Sequence, residues 1–486
     1  MTFRPFRRPA GILHCLSVLI SLCLPVEGSS LIYEALSNSE TGDKCECRGS
    51  EKRIGTTGLG LGLSVTAVSS PEKKKSSSVR GPLAQDFTIA IKAPGNNHRE
   101  GYIYFNGFAR LSDNSFLALA VIDQPEEATA AGVNGYQGRV ILSRSDDGGE
   151  SWKVLNTNLD FGRRMIGGAL FVYDNALYLF ATPKDDDGII RVARSDDRGA
   201  TWSEWVEVLR VPRQVKPDSV ASGVRPTTDD DPNWSDEQKW IAYLQTSMAV
   251  WRGHLYFAVS ERCQDMAIVS CNLKNGLLNP DSWRISKTMP VSIPKELNPG
   301  FFPGPSMSTL EGNVIVINGQ LRLLARQVVD RYGTSNIAAV FDVKENNGRP
   351  ELSFVQFFPV PGAHGLFNVV FDAESRLFWM ASNLESNSQK WIKSPSGSHK
   401  GRDRRFLMLW YSLDALNWFP AGCIAAAEKM QQTFNYPSMI IDGDDLAIVS
   451  RTTLDADKYT SHDADHVTFH RVRDFRSLAM NIHPAP

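Results

Sequence analysis

Along this 486-residue chain, arginines, a few carboxylates and one tyrosine recur at the borders between turns and short apolar runs. Arg99 and Asp123 come first, then Arg163 and Arg164, then Glu261 and Arg262. Glu311 and Arg326 follow, then His364, Asn383, Arg404 and Arg405, and finally Tyr436 and Arg451. Guanidinium groups gathered in one cavity repel each other unless an anion joins them. Their planar forks favour a carboxylate, with sulfate or phosphate as second choices. Carboxylates and a phenol beside such an anion could move protons or attack.

These residues meet only if the runs between them radiate from one axis. After Asp86, strand signals follow one another almost without helix. They fall into six groups of four, at 102–155, 165–208, 246–286, 310–358, 365–419 and 434–472. A spare strand at 87–91 can complete the last group and close a ring. Six such units predict an all-β, six-bladed propeller of four-stranded blades. Residues just before a blade's first strand, just after its second or just before its third then share one mouth of the channel. The arginines, carboxylates and tyrosine above occupy those slots. The longest inserts, 209–242 and 384–403, are rich in Pro, Asp, Ser and charge and could overhang one face.

Two stretches share a grammar. Ser145-Asp146-Asp147-Gly148-Gly149-Glu150-Ser151-Trp152 and Ser195-Asp196-Asp197-Arg198-Gly199-Ala200-Thr201-Trp202 both fit S-x-D-x-G-x-[ST]-W. Ser and Asp can bond the turn's own backbone, Gly takes the positive φ, and Trp packs inward at the start of the return strand. A third copy, Ser412 to Trp418, is one residue short.

The 11 Trp are spread along the repeats, as expected if each blade carries its own packing residue. A net charge of −2 with mixed signs gives no reason to expect a nucleic-acid partner. Residues 1–28 read as a secretory signal: Arg4, Arg7 and Arg8, an apolar run over 11–24, then Val26-Glu27-Gly28. That run is short for a membrane span, so a secreted protein without a stable span is expected once the signal is removed. Residues 29–85 are rich in Ser, Gly and Lys without a sustained period and read as a disordered linker. The propeller then covers 86–476, with a tail at 477–486. Among the seven Cys, Cys263 and Cys271 flank an expected hairpin and either bridge or stay free. His466 and His470 share a strand face, where hydrogen bonding is expected in preference to metal binding.

The repeated turn resembles the Asp box, or BNR repeat, of the sialidase (neuraminidase) superfamily in its bacterial type. That box is structural and bears on fold more than on activity. Three islands sharpen the resemblance. Glu311-Gly312-Asn313-Val314 through Leu324-Ala325-Arg326 looks like the stretch where a catalytic Glu opens one strand and a carboxylate-binding Arg ends the next. Arg404-Arg405-Phe406-Leu407, eight residues before Ser412, matches the family's other late arginine, with Arg404 favoured over Arg405. Phe434-Asn435-Tyr436-Pro437-Ser438 looks like the stretch carrying the tyrosine nucleophile. The resemblance implies Tyr436 as nucleophile, Glu311 as its base and Asp123 as acid/base, with Glu126 and Glu127 beside it as substitutes. Arg326 and Arg404 would bind the substrate carboxylate. Sialidases begin blade one with an R-I-P motif, whereas Tyr104-Phe105-Asn106 stands there in this chain. Arg99 becomes the third arginine by position alone. Arg405, His364, Arg163, Arg164 and Arg451 are the remaining mouth residues. No metal and no cofactor is implied.

The implied chemistry is coherent. Sialic acid carries a carboxylate on its anomeric carbon, which would repel an anionic nucleophile. A neutral phenol avoids that repulsion if a neighbouring Glu takes its proton. The expected function is a secreted, retaining exo-glycosidase acting on terminal sialic acid or a related acidic sugar. The alternatives are a glycan-binding propeller without turnover, and a lyase on uronate polymers with His364 central.

Overall fold

The structure is a computed structural model. It describes residues 81–84, 86–124, 139–155, 159, 165–183, 188–210, 247–261, 265–291, 308–328, 336–346, 349–386 and 403–480. The expected signal, residues 29–80 of the expected linker, most of both long inserts, and Glu126, Glu127, Arg163, Arg164 and Arg262 lie outside these residues, whereas Leu83 and Ala84, expected in the disordered linker, bond to the outer strand of blade five.

Among the described residues, twenty-five strands form six antiparallel sheets, the six blades expected. Blade one is β2 (Tyr102–Arg110), β3 (Phe116–Asp123), β4 (Val140–Ser145) and β5 (Lys153–Val154). Blade two is β6 (Met165–Tyr173) to β9 (Val206–Arg210). Blade three is β10 (Ala249–Trp251), β11 (His254–Glu261), β12 (Asp265–Asn272) and β13 (Trp283–Ile285), with β14 (Met289–Pro290) also on β12. Blade four comprises β15 (Ser308–Ile317), β16 (Gln320–Val328), β17 (Ile337–Asn346) and β18 (Arg349–Pro359). Blade five comprises β19 (Asn368–Asp372), β20 (Leu377–Leu384), β21 (Phe406–Ser412) and β22 (Trp418–Ala426). Blade six comprises β23 (Thr433–Asp442), β24 (Asp445–Thr453) and β25 (His466–Val472), and β1 (Thr88–Lys92) completes it on β25. The N-terminal strand thus closes the ring.

The second strands of most blades carry long apolar runs because they are covered on both faces. In β3, Leu117, Leu119 and Val121 pack toward blade two, while Phe116, Ala118, Ala120 and Ile122 pack toward blade six. Six hydrophobic clusters result, one in each gap between neighbouring blades, and no gap is left open.

The inner strands line a central channel of about 430 Å³. Its walls are small and apolar residues with a few amides and hydroxyls, and none is titratable. Buried asparagines staple neighbouring inner strands at one end. Asn313 accepts from the Val369 amide at 3.1 Å, and Asn368 accepts from that of Met439 at 3.0 Å.

Both full S-x-D-x-G-x-[ST]-W stretches fold as the same turn between a blade's third and fourth strands. Ser145 Oγ donates to Asp147 and accepts from the Gly149 amide, each at 2.8 Å, and Ser195 does the same with Asp197 and Gly199. Trp152 and Trp202 each donate their indole N–H to the glycine carbonyl at 3.1 Å. Strand direction puts these turns at the mouth opposite the ends of β16 and β24. Cys271 is a buried free thiol, pushed up to about 12 by burial. Of the two readings left open for this pair, Cys271 takes the free one, and Cys263 lies outside the described residues.

Candidate active site

The site is built at one mouth, where first strands begin and second strands end. Two of its residues sit in backbone conformations that side chains disfavour. Glu311 in β15 has φ 48° and Tyr436 in β23 has φ 53°. Each lies at a break in strand register, between Leu310 and Gly312 and between Asn435 and Ser438. A bulge adds an unpaired residue and re-aims its side chain. Holding a non-glycine residue at positive φ costs about 1–3 kcal/mol and tends to mark functional positions. Gly312 allows the first bulge: a Cβ there would meet Leu323 Cδ1 at 2.4 Å.

The bulges bring together two side chains 125 residues apart. The Tyr436 hydroxyl donates to Glu311 Oε1 at 3.2 Å. Arg326, at the end of β16, donates from Nη1 to Glu311 Oε2 at 2.6 Å and from Nε to the His364 carbonyl at 3.0 Å. All three are buried. Burial works against the Arg326 charge, but the Glu311 carboxylate outweighs it and holds the guanidinium above its usual value. One phenol thus lies within proton-transfer distance of a carboxylate that an arginine fixes in place.

Two further arginines close over the phenol. Arg404 precedes β21 and Arg451 lies in the last turnward part of β24, and both are buried. Their guanidinium carbons stand 5.8 Å and 3.7 Å from the Tyr436 ring centre. Arg404 Nη1 donates to the Ser461 carbonyl at 3.1 Å. Arg451 donates from Nε to Asn435 Oδ1 at 3.0 Å and from Nη1 to the Tyr104 carbonyl. In each, Nη2 is buried with no hydrogen-bond partner among the described residues. Burial lowers Arg404 to about 10, with the Arg451 and Arg326 charges acting in the same direction. Three guanidinium groups around one carboxylate, two with an unmet donor, make a site short of negative charge.

Beside it runs a second polar chain. The His462 ring meets Tyr436 edge-on, centres 6.2 Å apart, and its Nδ1 lies 2.5 Å from Asp463 Oδ1. Asp463 Oδ2 lies 2.8 Å from His98 Nε2 nearer the surface. Burial, then the Arg451 charge, push His462 down to about 3, so its ring is neutral near neutrality. Asp123 ends β3 at this mouth, buried, with the Tyr102 hydroxyl 3.4 Å from Oδ2 and the Gln124 amide on Oδ1 at 2.9 Å.

Of the residues singled out in the sequence, Tyr436, Glu311, Arg326 and Arg404 come together. His364 contributes its carbonyl to Arg326, and its Nδ1 lies 3.0 Å from Asn336. Asn383 is buried and donates to three carbonyls of blades five and six, the shortest at 2.7 Å to Phe434. Arg405 turns to Asp403, which it meets at 2.8 Å, and stacks on Phe406. Arg99 does not join the cluster: it is exposed, in a turn whose Asn97 side chain accepts its backbone N–H. A loop residue ahead of β2 has no strand end to carry it inward, whereas Arg451 rides a buried strand. Arg451 ranked only among mouth residues in the sequence. Its signal was an arginine set in the small polar run Ser450 to Thr453 that ends an apolar strand. His462 and Asp463 lie just before β25 and are not among the site residues singled out in the sequence.

No family model matches the chain, and no curated protein matches its sequence. Solved structures do match it. Trypanosoma rangeli sialidase, solved with sialic acid, superposes with a TM-score of 0.50 at 12% identity, over 81% of this chain and 59% of that one. Penicillium chrysogenum α-L-arabinanase, solved with arabinobiose, gives 0.46 at 11%, over 82% and 100%. The intramolecular trans-sialidase from Ruminococcus gnavus gives 0.46 at 10%, over 80% and 98%. At such identities the likeness is one of fold: this chain is a six-bladed propeller similar to that of the sialidase.

Proposed function

We propose that the protein is a secreted exo-glycosidase that releases terminal sialic acid, or a related acidic sugar, by a retaining mechanism. The Tyr436–Glu311 hydrogen bond, set among buried arginines, carries this reading. As the Tyr436 oxygen attacks the anomeric carbon, Glu311 takes its proton and the bond to the leaving oxygen breaks. Asp123 is the acid that protonates that oxygen. Water then attacks from the face that the leaving oxygen vacated, giving its proton to Asp123, while tyrosine departs and recovers its proton from Glu311, so two inversions give net retention. Arginines hold the sugar carboxylate and fix the ring for attack. A neutral nucleophile suits an anomeric centre that bears its own negative charge. The similar sialidase was solved with sialic acid bound, which agrees with this ligand class. Secretion rests on the basic and apolar leader at 1–28.

Incubation with a panel of sialosides, arabinosides and uronate polymers tests the reading. Release of a free keto-acid sugar from sialosides is expected. Unsaturated uronate absorbing in the ultraviolet would indicate a lyase instead. Binding of the panel without turnover would leave a lectin.

A further inference from the structure

The three buried arginines differ in what the protein already asks of them. Arg326 gives Nη1 to Glu311 and Nε to the His364 carbonyl, and it is also hydrogen-bonded to the Tyr436 side chain. Its donors are committed to the phenol–carboxylate pair. Arg404 and Arg451 each spend donors on fixed backbone or amide oxygens and keep one buried Nη2 without a partner among the described residues. An unmet buried donor on a charged group is costly and is retained where a ligand completes it.

Arg451 also answers the question left by Tyr104. The bulge between Ile103 and Phe105 in β2 is the blade-one counterpart of the bulges at Glu311 and Tyr436. Tyr104, which stands there, offers its carbonyl to Arg451 Nη1, reaching across from blade six. Asn435, next to the proposed nucleophile, holds Arg451 Nε. The guanidinium is thereby fixed 3.7 Å above the Tyr436 ring from two sides.

We infer that Arg404 and Arg451 form the anion clamp of this site through their Nη2 donors, and that Arg326 is a positioning residue that holds Glu311 against Tyr436. The inference rests on the proposed acidic-sugar reading and names the groups that meet the carboxylate. It replaces the expectation that Arg326 and Arg99 share that task with Arg404. A carboxylate with one oxygen on each Nη2 would join two buried cations whose charges oppose each other. This agrees with the fall of Arg404 to about 10 through burial and the Arg451 charge.

Calorimetric titration with free N-acetylneuraminic acid reads ground-state binding without turnover. Arg451→Met and Arg404→Met are expected to weaken binding at least about thirtyfold, the range for losing one partner of a buried charge pair. Arg326→Met should change it less than about fivefold while abolishing sialoside hydrolysis, and Arg99→Ala should change neither. Arg451→Lys keeps the charge but not both anchoring bonds, so it should bind more weakly than wild type and more tightly than Arg451→Met. Its thermal melt, matched to wild type, controls for folding. Binding by Arg451→Met within about threefold of wild type, or a larger loss in Arg326→Met than in either clamp variant, would overturn the inference. Sulfate titration followed by thermal shift separates the two readings. Arg451-dependent stabilisation of a protein that binds no sialic acid would keep the clamp and discard the sugar. Stabilisation that ignores both Arg404 and Arg451 would discard the clamp.

Discussion

At the scale of residues, the site concentrates strain and unmet charge in the same few side chains. Glu311 and Tyr436 occupy positive φ, and Arg404 and Arg451 keep buried donors unpaired. Stability alone would favour none of this, which is why these positions are read as functional. Tyr436→Phe keeps the ring under Arg451 and removes only the hydroxyl. It should lower kcat for a sialoside by about a thousandfold or more while product affinity stays within about fivefold, as for a group that acts in the transition state. Equal losses in binding and turnover, measured by calorimetry and steady-state kinetics, would make Tyr436 a packing residue. A different residue reports on pH. Burial pushes Asp372 up, but hydrogen bonds from Arg476 and Ser375 outweigh it and hold the carboxyl near 2, against 3.8 ordinarily. A depressed carboxyl stabilises the fold above its ordinary value and loses that contribution as pH falls through about 2. Asp372→Asn should therefore cost about 1–2 kcal/mol at neutral pH and narrow that gap in acid. Melts from pH 7 down to pH 2 check this, and a gap that widens in acid would refute the pairing.

At the scale of elements, bulged first strands and glycine-dependent turns do opposite jobs at opposite mouths. The first of these turns packs tightly at its glycine. A Cβ at Gly149 would lie 2.1 Å from the Phe469 ring at φ 96°, whereas Gly253, at φ 76°, has nothing within 4 Å. Gly253→Ala should cost about 1 kcal/mol from backbone strain alone. Gly149→Ala adds a clash with a packed ring and should cost about 2 kcal/mol more. Similar urea midpoints for the two variants would show that the Gly149 turn is looser than described. These turns were legible in the sequence because Ser, Asp, Gly and Trp each do a local job at fixed spacing. The bulges were not. Nothing around Tyr104, Glu311 or Tyr436 marks an extra residue in a strand, since the register break is set by the neighbouring strand. For the same reason Arg451 could be placed at the mouth from its strand but not over the phenol, and Arg99 was given a task its loop does not perform.

At the scale of the whole molecule, the ring positions a site whose parts come from blades one, four, five and six, so closure matters to chemistry. The last gap is sealed by β1, with Ala90 and Ile91 in the cluster between blades six and one. A chain beginning at Gly81 should melt as the longer one does. One beginning at Ala93 leaves β25 as an open edge and should lose about 4 kcal/mol or more in a urea melt. Identical melts would mean that β1 is an accessory strand. The propeller itself was legible because six repeats of a four-strand pattern admit few other folds. The central claim, that Tyr436 attacks the anomeric carbon of an acidic sugar, is tested most directly by trapping. In a 2,3-difluoro derivative of sialic acid, fluoride is a ready leaving group, while the second fluorine slows release of the glycosyl enzyme. Peptide mass spectrometry after incubation should find one sugar on the peptide carrying Tyr436, and none in Tyr436→Phe. A protein that hydrolyses sialosides yet carries the label on Glu311, on Asp123 or nowhere would contradict the account.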